Sequence, residues 1–163
     1  MFCAVRYREE KASSHLVLAL EHLCGGMLLD RLKKGPLSEH HAAAAFHQIV
    51  TCILYMHHTG YLHRDLKPDN VMLTYDWDPE TDKHLPPPVK LIDLGMVLNY
   101  VKQPNETGLM GSPGYMSPEA IRCGTHNSLH ACIGLLTTYV HMYRVEPCIK
   151  IMFKSASIVK CWG

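Results

Sequence analysis

Asp65, Lys67 and Asn70 are the residues with which this chain could do chemistry, and their spacing suits one kind of reaction. They stand in the stretch His63-Arg64-Asp65-Leu66-Lys67-Pro68-Asp69-Asn70. An Asp and an Asn five positions apart, with a Lys between them and a Pro that stiffens the loop, are what a phosphoryl-transfer site needs. One acid must accept the proton of an attacking hydroxyl. An amide oxygen must share a metal ion, and a lysine must neutralise charge on the phosphoryl group in flight. A polar surface loop would also carry Asp and Asn, but it has no reason to hold eight residues in this order.

The elements that must position this loop lie on either side of it. Upstream, Ser38 is a good N-cap and Gly60 a stop for a long helix over roughly 39–59. Ala42, Ala45, Phe46, Ile49, Ile53 and Met56 recur at three- and four-residue steps and give that helix one buried stripe. At about 1.5 Å per residue it is a rod about 30 Å long, a scaffold for the loop that follows. Residues 27–34 read as a short amphipathic helix that Gly35-Pro36 stops, and the runs Phe2 to Tyr7 and His15 to Leu20 read as a hairpin. Glu21-His22-Leu23-Cys24-Gly25-Gly26 breaks the second run.

Downstream, Val71-Met72-Leu73 leaves the loop as a short strand with Val89-Lys90-Leu91-Ile92 as its partner. Between them, four acids and three consecutive Pro mark residues 74–88 as an exposed insertion. Asp76, Asp78, Glu80 and Asp82 alternate as calcium ligands do, but no Gly stands at the turn position and no Glu closes the loop, so calcium is not expected. The pairs His40-His41 and His57-His58 lack a carboxylate at ligand spacing and are expected to be solvated helix residues.

Composition bounds the partners. With 47% hydrophobic and 19% charged residues the composition reads as globular, 163 positions are enough for one domain and too few for two, and wholesale disorder is not expected. A net charge of +1 supplies no basic field for nucleic acid or an anionic membrane. The apolar-rich stretch 129–143 falls short of the roughly 20 residues that span a bilayer, and the charged first residues do not read as a signal peptide. Seven Cys, odd in number and without a CxxC pair, suggest neither a disulfide framework nor zinc, so cytoplasm or nucleus is the expected location.

Residues 63–70 resemble the catalytic loop of eukaryotic protein kinases, and two further elements follow in that family's order. Asp93-Leu94-Gly95 comes 28 residues after Asp65, and Gly111-Ser112-Pro113-Gly114-Tyr115-Met116-Ser117-Pro118-Glu119 comes later still. The resemblance implies a protein-kinase-like α+β fold, mostly the helical large lobe with a remnant of the small-lobe sheet, truncated at both ends. It implies a partial kinase domain over 1–121, with a hinge near 20–26, the catalytic loop at 63–70, an activation segment over 93–119, and a divergent tail over 122–163. Asp65 is then the catalytic base, Lys67 touches the transferred phosphoryl group, and Asn70 and Asp93 hold Mg2+. ATP would dock its adenine on the hinge, with Leu20 at the gatekeeper position, Glu21 offering its carbonyl and Leu23 both backbone groups. Arg64 would pair with an activating phosphate, for which Thr107 is the expected acceptor, and Ser112 would bridge the base and the lysine. A Lys two positions after the Asp is the spelling of serine/threonine kinases, and the motifs lean toward calcium/calmodulin-dependent-like members.

The chain departs from the family pattern in places. Met27 stands where many kinases carry a carboxylate toward the ribose. None of the eleven Gly forms a GxGxxG, and nothing before the hairpin resembles the small-lobe Lys and Glu that clamp the phosphates. Residues 122–163 contain no Asp where a buried one should support the catalytic loop, and they read like an altered frame or retained intron. Two functions follow as expectations. One is a protein serine/threonine kinase acting on a protein substrate. The other is a catalytically inactive kinase fragment that works as a protein-binding module, competing with a full-length relative for a substrate or regulatory partner. A small-molecule or lipid kinase fits less well, because residues 111–119 resemble a peptide-docking loop.

Overall fold

The computed structural model describes residues 5–9, 16–104, 108 and 110–116. Thr107, Ser117 to Glu119 and the tail 122–163 lie outside the described residues.

The long helix forms where its pattern predicts. We label it α2, Glu39–His58; a shorter α1, Leu28–Lys33, precedes it. The Ser38 hydroxyl accepts from the His41 N–H at 3.2 Å and satisfies one of the first-turn donors that have no partner inside the helix. At the other end the Thr59 N–H and hydroxyl reach back to the Tyr55 and Met56 carbonyls, and Gly60 follows at φ 83°. Ala42, Ala45, Ile49, Ile53 and Met56 are buried as the stripe requires; Phe46 sits half-buried at its edge and Cys52 joins it.

That stripe meets α1 and a small sheet. Leu28 and Leu32 come from α1; Val71, Leu73, Val89 and Leu91 come from β4 (Val71–Leu73) and β5 (Val89–Leu91). These strands are antiparallel with Val71 opposite Leu91 and Leu73 opposite Val89, so alternate residues face α2 while Met72 and Lys90 point outward. Each such side chain contributes about 1.5–3 kcal/mol by leaving water.

Two more strand pairs complete the description. β1 (Val5–Glu9) and β2 (Leu16–Leu20) form the expected hairpin, Val5 opposite Leu20, with bounds a few residues from the sequence reading. β3 (Tyr61–Leu62) pairs with β6 (Leu98–Asn99), which the sequence does not announce, because two residues are too few for any periodicity. This pair matters for the site. It brings the chain after Asp93 back beside the entry to the loop 63–70, where the Tyr100 N–H donates to the Gly60 carbonyl at 3.0 Å.

The segment 74–88 corrects the sequence reading. Its acids are at the surface, but Trp77 is 2% exposed and belongs to the core cluster. The indole N–H donates to the Leu85 carbonyl at 3.2 Å, the ring meets His41 edge to face at 4.9 Å, and the Arg31 guanidinium stands 6.0 Å from the ring centroid. Gln48 on α2 fastens the far end, donating to the Pro87 carbonyl at 2.9 Å and accepting from the Val89 N–H at 3.3 Å. His41 is therefore not the solvated residue expected. It is buried, and since the Lys83 carbonyl 3.1 Å from Nε2 can only accept, Nε2 carries the proton. His57 is also partly covered, whereas His40 and His58 are exposed as expected. Counting acids and prolines missed the one tryptophan that anchors the loop.

Candidate active site

The loop 63–70, expected to be catalytic, owes its shape to burial at both ends. His63 is fully buried, with Nε2 3.3 Å from the Ile92 carbonyl and Nδ1 accepting from the Asp65 N–H at 3.3 Å. Burial holds the His63 imidazolium below its ordinary value, against the opposing pull of the Ile92 carbonyl and the Asp65 and Asp93 charges. Its role is structural, as its neighbours show. Arg64 follows at φ 67°, an uncommon conformation for a residue other than glycine. The 3₁₀ turn Pro68–Asn70 then brings Asn70 under Asp65.

Four residues close into one cluster. Asp65 Oδ2 accepts from Lys67 Nζ at 2.9 Å and from Asn70 Nδ2 at 3.0 Å. Oδ1 accepts from the Ser112 N–H at 2.9 Å. Lys67 Nζ also donates to the Ser112 hydroxyl at 2.6 Å, and Asn70 Nδ2 to the Asp65 carbonyl at 2.7 Å. Burial alone would push the Asp65 carboxyl up. The hydrogen bonds from Lys67 and Ser112, the Lys67 charge and the Asn70 amide outweigh it and hold the carboxyl below its ordinary value. Asp65 is thus an ionised, oriented acceptor at neutral pH. Ser112 joins it to Lys67, but the hydroxyl expected to bridge the two meets only Lys67, and the backbone N–H makes the contact with Asp65.

Asp93 is joined to this cluster through the backbone. The Ile92 N–H donates to the Asn70 carbonyl at 2.9 Å, which ties the end of β5 to the catalytic loop. Asp93 stands at φ 57° with Oδ1 accepting from the Gly95 N–H at 3.1 Å, and its carboxylate is exposed. The donor set fits magnesium. Asn70 spends its amide N–H group on Asp65, which leaves its oxygen for a cation, and Asp93 adds a second hard oxygen in Oδ2.

The residues expected to form the hinge make a separate group. Leu20 is 62% exposed at the end of β2, while Leu23 is buried. The segment after it is stitched to β4, with the Cys24 N–H donating to Thr74 O, the Gly25 N–H to Leu73 O, and the Leu73 N–H to Gly26 O. A side chain at Gly25 would fall 2.0 Å from the Tyr75 carbonyl, so only glycine permits this approach. Glu21 and Lys90 form an ion pair at 2.5 and 2.6 Å that fastens the hinge to β5. No local pattern announces it, since the partners are 69 residues apart and each reads as an ordinary surface charge. Arg64 Nε donates to the Met96 carbonyl at 2.6 Å, holding the segment that follows Asp93.

Residues 4–148 match the family model of the protein kinase domain. The chain belongs to the protein kinase family. Among relatives of this kinase chain, a serine/threonine-protein kinase PEPKR2 of Arabidopsis thaliana is 36% identical over 114 residues, 69% of this chain and 22% of the relative. Human calcium/calmodulin-dependent protein kinase type IV is 34% identical over 136 residues, 82% of this chain and 27% of its own length. Calcium-dependent protein kinase 29 of Arabidopsis thaliana is 38% identical over 140 residues, 85% of this chain and 24% of its own. The kinase chain spans about a quarter of the length of these curated relatives.

Proposed function

We propose that this chain acts as a protein serine/threonine kinase, transferring the γ-phosphoryl group of ATP to Ser or Thr hydroxyls of a protein substrate. The observation that carries the reading is the closed contact of Asp65, Lys67 and Ser112. Phosphoryl transfer asks the protein for positioning and charge more than for covalent chemistry, and this cluster offers both. Asp65 accepts the substrate hydroxyl proton as the hydroxyl oxygen bonds to the γ-phosphorus and the bond from that phosphorus to the departing ADP oxygen breaks. Lys67, partly exposed beside it, meets the negative charge of the group in transit. Asn70 and Asp93 would hold Mg2+, which supplies charge neutralisation on the phosphates when bound. The hinge backbone at Glu21 and Leu23 would take the adenine edge beside Leu20, in a segment that Gly25 and the Glu21–Lys90 pair fix in place.

The same reading assigns regulation. A phosphate on Thr107 would bring about two negative charges toward Arg64, whose Nε already grips the segment at Met96. Cytoplasm or nucleus is the compartment proposed, with a regulatory protein as a further partner.

Thermal unfolding with millimolar Mg-ATP tests the reading, since a ligand at about 100 times its Kd adds about 2.7 kcal/mol to stability. The unsubstituted chain should show a raised Tm, Asp93→Asn should lose the rise, and Asp65→Asn should lose phosphorylation of a Ser/Thr peptide. No rise in the unsubstituted chain would sink the enzyme reading and leave a kinase fragment that binds proteins without catalysis.

A further inference from the structure

We propose that Gly111 is a positioning residue for the site: its lack of a side chain lets the activation segment seat on the Arg64 carbonyl and so deliver Ser112 to Asp65. This rests on the reading of Asp65 as the proton acceptor.

The geometry is tight at one point. A Cβ built on Gly111 would lie 2.5 Å from the Arg64 carbonyl oxygen and 3.5 Å from Met116 Cγ. The methionine can move; the carbonyl cannot. Arg64 sits in the left-handed region between buried His63 and buried Asp65, and its own Nε is held by Met96 at 2.6 Å. Gly111 itself is at φ 106°, where side chains are rarely tolerated. Any displacement must therefore fall on residues 111 and 112.

The displacement would be large enough to matter. A carbon and a carbonyl oxygen settle at about 3.3 Å, so a methyl group at 111 forces a retreat of about 0.8 Å. The Ser112 N–H starts 2.9 Å from Asp65 Oδ1. A retreat of that size takes it past about 3.2 Å, where N–H···O bonds cease to be well formed. Lys67 has a flexible stem and can follow the Ser112 hydroxyl, so the loss concentrates on the Asp65 contact. Arg64 thus meets the segment twice, donating to Met96 from its side chain and lying with its carbonyl close against Gly111.

NMR of the full chain tests this without relying on turnover. In Gly111→Ala the Ser112 amide should exchange faster than in the unsubstituted chain by about tenfold or more. Gly114→Ala, at a position with nothing within 4 Å of the added carbon, should leave that exchange unchanged. A Ser112 amide that stays as protected in Gly111→Ala as in the unsubstituted chain would overturn the proposal. Should that variant fail to fold, the unsubstituted chain still decides: a Ser112 amide exchanging as fast as an unstructured peptide would overturn it, and a protected one supports it. Peptide phosphorylation by the unsubstituted chain is measured alongside. Its absence would count against the kinase reading alone, because the amide exchange does not depend on it.

Discussion

Replacing Trp77 by Ala should cost this protein a large part of its stability, although the residue lies in a segment rich in acids and prolines. Trp77 is 2% exposed and packed against His41 and the α1–α2 core. Removing a buried Trp side chain costs about 3–5 kcal/mol. The lost indole hydrogen bond adds little, because Leu85 is half exposed and water can replace the donor at its carbonyl. Arg31, at 6.0 Å, adds about 0.5 kcal/mol. The sum is about 4 kcal/mol, against a total of about 5–15 kcal/mol for a typical domain. For a chain of this size, that lowers Tm by about 8–16 °C. Urea unfolding followed by far-ultraviolet circular dichroism should show a lower midpoint with an unchanged slope. Tyr75→Ala, two residues away and 40% exposed, should cost less than about 1 kcal/mol. A loss below about 1.5 kcal/mol in Trp77→Ala would refute the view that the tryptophan anchors the segment to α2.

Lys67→Met removes the principal hydrogen bond that holds the Asp65 carboxyl down, so that carboxyl should titrate higher by NMR and peptide phosphorylation should fall by about 10²–10³. Because the folded value is depressed, Asp65 stabilises the protein above its ordinary value of 3.8 and loses that contribution as pH drops through the folded value; acid unfolding of Lys67→Met should show a smaller such contribution. His63 is held neutral by burial, with its folded value below the ordinary 6.5. The unfolded chain then binds the proton more readily, so stability is full above 6.5 and declines as pH falls below it, a trend that urea midpoints from pH 8 to 5 should show and that His63→Leu should reduce. Cys24 is exposed, whereas burial covers Cys52 and pushes its thiol up. Peptide mapping after brief iodoacetamide treatment should find the Cys24 peptide labelled before the Cys52 peptide, and equal labelling would contradict the burial.

Much of the site was legible because its order along the chain is short-range. Asp65, Lys67 and Asn70 lie within one loop, and a loop of fixed length between a capped helix and a strand has few ways to arrange three side chains. The stripe from Ala42 to Met56, the Ser38 cap and the alternation in β4 and β5 are likewise local consequences of a 3.6-residue or two-residue period. The chemistry of the cluster therefore belongs to the sequence. What folding alone decided involves partners far apart in the chain. Ser112 meets Asp65 and Lys67 across more than forty residues, a contact that the family resemblance implied but that its backbone N–H, not its hydroxyl, makes with Asp65; Glu21 meets Lys90 across 69, and Trp77 turns a polar segment inward because α1 and His41 leave room for an indole. Nothing in the neighbourhood of Trp77 or Lys90 specifies those contacts, since each depends on where another element has packed. Gly111 shows the same division: its freedom at φ 106° is a property of glycine, but the need for it arises only when the Arg64 carbonyl arrives beneath it.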